Sequence, residues 1–409
     1  MSSRKPKLRL KKKSIILFSV IIVFILGIIG AFIFKSNFFS TKIEIIKKED
    51  KFTVNREEVD YEAKVFMVGD SLIHGGVWDD ARERDGSYDF KPMLQHIKPI
   101  ASKYDIAYYN QETILGGTAL GLSNYPRFNS PQEVGDAFID AGFNLVSLAT
   151  NHTMDKGELG VQKSVEYWKS HPEVGTSGQW LSYEERDASI KKIYEVNNIK
   201  YAFISYTTWT NGLETPIGKE YLNNVYSDEK AKADIESVRD SVDFVIVAMH
   251  WGTEYSFGVD NSQTHIANYL SELGVDLIIG AHPHVIETVE YINDGKTFVI
   301  YSLGNFLSDQ LDIDNYTGLG MEVTLRKHVD LDGKVTNNVV EPKAQLFYTV
   351  TNGRSNGYTK RFINKTYPSL NDNELRNHVA LYEKYKAIVN ERYPNLTWGL
   401  TWEWYKWKY

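Results

Sequence analysis

The 409-residue chain carries 46 Lys and Arg against 53 Asp and Glu, for a formal charge of −7, and it has no cysteine. Disulfides, thiolate ligands and cysteine nucleophiles are therefore excluded, and any bound metal must rest on oxygen and imidazole donors. Residues 1–13 hold seven positive charges and no acid, which leaves −14 on the remainder; that balance argues against capture of nucleic acid or of polyanions in general, except at a local positive centre.

Taken in chain order, the basic stretch "RKPKLRLKKK" (4–13) is followed by "SIILFSVIIVFILGIIGAFIF" (14–34), 21 positions without a charge. A helix needs about 20 apolar residues to cross a bilayer core, whereas a secretory signal usually has an apolar region of about 7–15 followed by a small-x-small site. Here the run ends in Phe32-Ile33-Phe34-Lys35. The expectation is one uncleaved transmembrane helix at 14–34 in the cell membrane, with residues 1–13 cytoplasmic and the rest of the chain extracytoplasmic. Residues 35–60, polar and charged around "KKEDK", read as a linker.

From Val65 onward, short apolar runs alternate with amphipathic stretches. Strands are predicted at 65–69, 105–110, 145–150, 201–207, 244–250, 276–281 and 298–303, with later ones at 318–327 and 344–350. Helices are predicted at 131–142, between Pro131 and Gly142, and at 261–274, with Asn261 as its cap. Strands alternating with helices predict an α/β fold, here one large domain over 61–350. Residues 351–409 form a C-terminal helical and aromatic extension. A helix within 373–392 would carry a stripe of Leu375, Val379, Tyr382, Tyr385 and Ile388, ahead of the Trp-rich end, which reads as a final strand across the core.

The polar residues at the strand exits form the informative pattern. In order they are Asp70 and His74 in "VGDSLIHGG", Glu112 in "NQET", Asn151 and His152 in "LATNHTMD", His250 in "MHWGTEY", and His282 and His284 in "GAHPHV". Open α/β sheets place ligands at the carboxyl ends of their strands. A mixed oxygen and imidazole set suits Mn²⁺, Zn²⁺ or Fe. His-x-His on an extended segment would project both imidazoles to one face, and two ions about 3.5–4 Å apart could then share a site. The other five histidines, His96, His171, His265, His328 and His378, fall in helical or loop-like text.

The letters "GDSL" at 69–72 raise a second possibility, a serine esterase with Ser71 as nucleophile. Such an enzyme needs a histidine activated from a late Asp-x-x-His motif. None of the ten histidines has aspartate three positions earlier, and a Gly-x-Asn-Asp block is also absent. Asp70 is therefore the functional residue of this turn.

The order Asp, Glu, Asn-His, His, His-x-His resembles the ligand sequence of the calcineurin-like metallophosphoesterases. More narrowly, "VGDSLIHGG", "NQET", "LATNHTMDKG", "MHWGTEY", "GVDLIIGAHPHV" and "VIYSLGNF" resemble the CapA family of capsule-synthesis proteins over roughly residues 61–310. The resemblance implies a four-layer αββα sandwich of the metallo-dependent phosphatase type in an anchored extracytoplasmic protein. It also implies Asp70, Glu112, Asn151, His250, His282 and His284 as ligands of one or two divalent ions, with His152 as the histidine that gives a proton or stabilises charge on the substrate. Two positions depart from the phosphoesterase pattern: Leu72 stands at the histidine of Asp-x-His, and Glu112 stands where that family has Asp. His74 either ligates or faces substrate. Asn129, Trp251 and Glu254 lie in similar text and are candidates for the substrate groove.

The function implied is poly-γ-glutamate capsule biosynthesis or export, with a metal-dependent hydrolase site acting on a phosphoester or a γ-glutamyl amide. The implied partners are the membrane, an anionic polymer such as poly-γ-glutamate and other capsule-synthesis membrane proteins. The alternatives are a non-catalytic polymer-binding or assembly factor of the capsule complex, and a metallophosphoesterase of unrelated substrate.

Overall fold

The computed structural model describes residues 45–48, 51–54, 57–351 and 362–399. The transmembrane helix expected at 14–34, the basic segment before it and most of the Trp-rich end lie outside the described residues. Among the described residues no helix is long and apolar enough to cross a membrane. Within the stretch expected to be a linker, strands β1 (Ile45–Lys48) and β2 (Lys51–Val54) pair antiparallel, with Ile45 opposite Val54.

The remaining strands are β3 (Val59–Leu72), β4 (Ile106–Gln111), β5 (Leu145–Ser147), β6 (Gly175–Ser177), β7 (Tyr194–Val196), β8 (Ile199–Thr207), β9 (Phe244–His250), β10 (Leu277–Ala281), β11 (Val289–Ile292), β12 (Thr297–Ile300), β13 (Asn305–Ser308), β14 (Thr317–Val329), β15 (Val335–Thr351), β16 (Phe362–Thr366) and β17 (Thr397–Trp398). They form two sheets. One has six strands in the order β11-β12-β10-β9-β8-β7; the other has nine, along β16-β15-β14-β3-β4-β5-β6, with β13 also on β3 and β17 on β15. Strands β3, β4 and β5 run parallel in the large sheet, and β8, β9, β10 and β12 run parallel in the small one.

Side-chain alternation shows how the layers stack, because successive residues of a strand face opposite sides. In the small sheet, Phe203, Ile246, Ile279 and Ile300 join a core shared with Val65, Phe66 and Tyr108 of the large sheet. Their neighbours Ile204, Val247, Ile278 and Val299 face a second core. In β4, Tyr108 meets Phe203 across the sheets with ring centroids 6.1 Å apart. The next residue, Tyr109, stacks at 3.9 Å on Phe138 of helix α1 (Glu133–Asp140). Helices α2 (Asp228–Glu236) and α3 (Asn261–Glu272) cover the other face of the small sheet through Ala231, Ile235, Ile266 and Leu270. The sheets thus pack on one another and helices cover their outer faces. Buried on both sides, their strands read as continuous apolar runs.

Several boundaries differ from expectation for local reasons. Strand β3 begins well before residue 65, because its first residues alternate between half-buried and exposed and carry Asp60 and Glu62 on the open side. Helix α3 is capped by Asp260 rather than Asn261: Asp260 Oδ1 accepts from the Gln263 N–H at 2.9 Å and Gln263 Oε1 accepts from the Asp260 N–H at 2.9 Å, a reciprocal capping box. Helix α4 (His378–Val389) buries Tyr385 and Val389, while Val379 of the predicted stripe is 66% exposed. Thr397 and Trp398 pair with Lys343 and Ala344 of β15, so the chain does return to the sheet there.

Candidate functional site

Two glycines let the strands that carry the site come close. An added Cβ on Gly69 would lie 1.8 Å from the Gly304 carbonyl oxygen, and one on Gly280 would lie 1.8 Å from that of Tyr301. Asp70 follows Gly69, and its N–H donates to Gly304 O at 2.9 Å. Beyond Gly280 and Ala281, the His282-Pro283-His284 segment leaves β10.

This segment is not extended, in contrast to the sequence expectation. His282 has φ +102° and His284 φ +60°, conformations that side-chain-bearing residues rarely adopt and that concentrate at functional sites. The left-handed turns, not strand alternation, bring both imidazoles inward. The His282 N–H donates to Asp70 Oδ2 at 3.2 Å, which ties the turn to the other sheet.

Glu112, His282 and His284 each place a ligand atom within 4.8 Å of the others, and all three are buried. His284 Nε2 lies 3.6 Å from Glu112 Oε1, and its Nδ1 lies 3.5 Å from Asp70 Oδ2 and 3.0 Å from Asn305 Oδ1. His250 Nε2 is 3.8 Å from Glu112 Oε1 and 3.0 Å from Asn151 Oδ1. Asp70, Glu112, Asn151, His250, His282 and His284, gathered from five strand ends and both sheets, are therefore one cluster.

The polar accounting fits a cation. Both carboxylate oxygens of Glu112 and Nδ1 of His282 are buried without a hydrogen-bond partner. Buried polar atoms are nearly always paired, and each unpaired one costs about 1–3 kcal/mol. Carboxylate oxygen and imidazole nitrogen, offered by Glu112, His282 and His284 within 4.8 Å of one another, form a donor set for a divalent ion.

The electrostatics agree. Burial pushes the Glu112 carboxyl well above the usual range, with His284 opposing and Asp70 adding to the rise. Burial also works against charge on His284, but Glu112 and Asp70 outweigh it and carry its pKa up to about 9. Burial lowers His282 to about 3 and holds His250 well below its ordinary value, which keeps both imidazoles neutral, the form that ligates. Without a cation the cluster must hold a proton to be stable; a bound cation would replace it.

Around the cluster, Asn110 donates from Nδ2 to Asp70 Oδ1 at 2.8 Å, and its Oδ1 accepts from the Ser147 hydroxyl. Asn110, Ser147 and Asn305 were not singled out by the sequence, although Asn110 and Asn305 sit inside the "NQET" and "SLGNF" stretches. Only tertiary contact reveals them as supports, and such partners orient ligands.

Above the cluster opens a cleft of about 860 Å³ whose wall includes His74, His152, Glu254, His282 and His284. His152 Nδ1 lies 2.8 Å from Asp155 Oδ2, an atom that also accepts the Phe128 N–H at 2.6 Å. With Nδ1–H donated to the carboxylate, Nε2 is the nitrogen left for the cleft. The Phe128 ring stands edge-on to both His74, at 5.1 Å, and His152, at 4.7 Å. His74 bonds the Leu72 carbonyl through Nδ1 at 2.9 Å, and burial lowers its pKa to about 4.

Two residues proposed for the groove sit elsewhere. Asn129 is buried and donates to the Gly117 and Gly121 carbonyls at 2.9 and 3.0 Å, holding a loop together. Trp251 packs in the core under α3, with its Nε1–H on the Tyr301 carbonyl at 2.8 Å. Neither forms part of the cleft wall. Ser71 is fully buried within β3 and does not line the cleft either.

Parallel strands from two packed sheets, delivering a carboxylate–imidazole cluster to a common edge, define an α/β protein with a candidate metal centre. The chain belongs to the family described as bacterial capsule synthesis protein PGA_cap, which matches residues 64–310. It is similar to the PGA biosynthesis protein CapA of Bacillus subtilis (strain 168), 31% identical over 254 residues, and to the capsule biosynthesis protein CapA of Bacillus anthracis, 26% identical over 257 residues. Each match takes in 60% of this chain, and they span 63% and 59% of those two proteins. Among solved structures, a phosphatase from Mycoplasma pneumoniae is similar at a TM-score of 0.44 and 14% identity, over 70% of this chain and 94% of that one.

Proposed function

We propose that this chain acts in poly-γ-glutamate capsule biosynthesis or export as a CapA-like protein with a metal-dependent hydrolase site on a fold of the metallo-dependent phosphatase type. The observation that carries the metal site is the approach of Glu112, His282 and His284 to within 4.8 Å of one another, with both Glu112 oxygens and His282 Nδ1 buried and without hydrogen-bond partners. Glu112, His282 and His284 would hold the ion, with Asp70, His250 and Asn151 as further donors beside it and His74 at the cleft wall. A bound divalent ion, Mn, Zn or Fe, supplies Lewis acidity and lowers the pKa of water toward neutrality.

The chain's own residues set up the rest. Asn110 and the His282 amide fix the Asp70 carboxylate. Asp155 fixes the His152 tautomer so that Nε2 can hand a proton to a departing oxygen or nitrogen of the substrate. Phe128, packed between His74 and His152, keeps water from that face. The apolar run 14–34 and the seven charges before it support a single-pass anchor with the cleft outside the cytoplasm.

The test is elemental analysis of the full-length protein, with hydrolysis assays on an aryl phosphate and on a γ-linked glutamyl oligomer. Bound Mn, Zn or Fe that is lost in His282→Ala, together with hydrolysis of either substrate, is the expected result. Metal-free protein with all ligands intact would end the reading, and metal without hydrolysis of either probe would leave the polymer-binding alternative in its place.

A further inference from the structure

The cleft wall carries one basic and one acidic side chain, Arg127 and Glu254. Glu254 lies near the cluster and acts electrostatically on Glu112 and His284. Arg127 belongs to a different loop, and its backbone is pinned on both sides. Its carbonyl accepts from Ser123 Oγ at 2.6 Å, and the next N–H, that of Phe128, is held by Asp155 at 2.6 Å. The guanidinium itself is exposed and has no hydrogen-bond or ion-pair partner among the described residues. A fixed backbone thus presents an unpaired cation to the cleft in a chain whose charge beyond residue 13 is −14.

The same cleft gathers three of the protein's exposed aromatic side chains: Tyr125 is 75% exposed, Trp209 59% and Tyr255 56%. Exposed large aromatics along one groove mark a binding surface rather than packing. At about 860 Å³ the cleft is near the top of the range of ligand sites, about 300–1,000 Å³, so it has room for several linked units.

These observations deepen the proposed function and rest on it. We infer that Arg127 and the aromatic rim form a subsite for a linear polyamide bearing pendant carboxylates, the chemistry of γ-linked glutamate. In such a chain each unit offers one free carboxylate and two backbone methylenes. The guanidinium takes one carboxylate as a paired, charge-assisted contact. The methylenes of neighbouring units lie on Trp209, Tyr125 and Tyr255, and the adjoining amide is directed toward the cluster. A small phosphate monoester would use the ion and leave the rim empty.

The test is calorimetric titration of metal-loaded, full-length protein with γ-linked tetraglutamate and, separately, with inorganic phosphate. Arg127→Gln is expected to weaken tetraglutamate binding about tenfold or more, the loss of one charge-assisted pair, and Arg127→Lys by less. Trp209→Ala is expected to weaken it several-fold. Metal content should stay unchanged in all three variants, and phosphate binding should change less than twofold. If the wild type binds the oligomer and Arg127→Gln binds it equally well, the subsite assignment falls while the metal-site reading stands. If Arg127→Gln weakens phosphate as much as oligomer, Arg127 is a general anion attractor and the assignment also falls. If metal-loaded wild type does not bind the oligomer at all, both the subsite and the polymer reading beneath it fail.

Discussion

Glu112 Oε1 lies 3.6 Å from His284 Nε2, and the two residues leave strands of different sheets, β4 and β10. The pair therefore bridges the sandwich at its edge, and whatever binds between them links the two layers.

A ligand that binds only the folded state stabilises it by mass action, by about 2.7 kcal/mol at a hundred times its dissociation constant. Added Mn²⁺ or Zn²⁺ should raise the thermal midpoint of the wild type, with EDTA reversing the shift. Glu112→Gln and His284→Ala should respond weakly or not at all. Equal shifts in all three proteins, read by scanning calorimetry, would place the ion elsewhere.

Asp155 Oδ2 serves His152 and the Phe128 amide together. Asp155→Ala leaves that amide unpaired, at about 1–3 kcal/mol, and frees the imidazole to adopt either tautomer. Turnover should fall about a hundredfold, the scale of general acid catalysis. Asp155→Asn can place its amide oxygen where Oδ2 accepts from both groups, so it should recover most of the stability and the His152 tautomer while losing the carboxylate charge, and its turnover should lie between those of the wild type and Asp155→Ala. Denaturant titration alongside the rate assay separates the two roles.

Glu287 is fully buried; Oε2 accepts from Gln263 Nε2 at 2.7 Å, while Oε1 has no partner. Burial pushes its pKa from 4.5 up to about 8, with the Gln263 bond opposing. Between those values the folded protein keeps a proton that the unfolded chain releases, so this group's contribution to stability falls as pH rises through the window. The loss amounts to a few kcal/mol, at about 1.4 kcal/mol per unit. Glu287→Gln should flatten that dependence and be the more stable protein at pH 8, with little difference at pH 5. Urea unfolding at the two pH values decides it; parallel curves would reject the assignment.

Gly69 faces the Gly304 carbonyl so closely that a Cβ would reach 1.8 Å from its oxygen. A backbone carbonyl cannot rotate aside like a side chain. Gly69→Ala should cost at least the upper part of the overpacking range of about 1–3 kcal/mol and shift Asp70, the next residue. Reduced metal content together with a lower denaturation midpoint is the expected pair of results. An unchanged midpoint would show that β3 and the Leu303-Gly304 backbone can separate without loss.

The strand exits were legible in the sequence because a buried parallel strand must be apolar throughout, so a carboxylate or imidazole ending such a run stands out. Asp70, His74, Glu112, Asn151, His152, His250, His282 and His284 could be picked out on that ground, and so could the α/β alternation, while the division into ligands and other roles came from the family resemblance. The route by which the two histidines converge was not legible, since left-handed backbone at His282 and His284 is uncommon for side-chain-bearing residues and belongs to a turn tied to Asp70 of the other sheet. Asn129 and Trp251 misled for a related reason: a polar or amphipathic residue beside a motif looks available until its hydrogen bonds are seen to be spent on a loop or a core carbonyl.

By itself the sequence determined the donor types, the absence of thiols, the charge of −14 beyond residue 13 and the family over 64–310. Only tertiary structure decided which donors meet, that the Glu112 oxygens and His282 Nδ1 lack partners, that Asp155 orients His152, and that Arg127 stands among exposed aromatics. Composition and short-range pattern fix which face of a strand is buried. Contacts between residues more than a hundred positions apart depend on how the two sheets pack, and chain-local propensity carries no record of that.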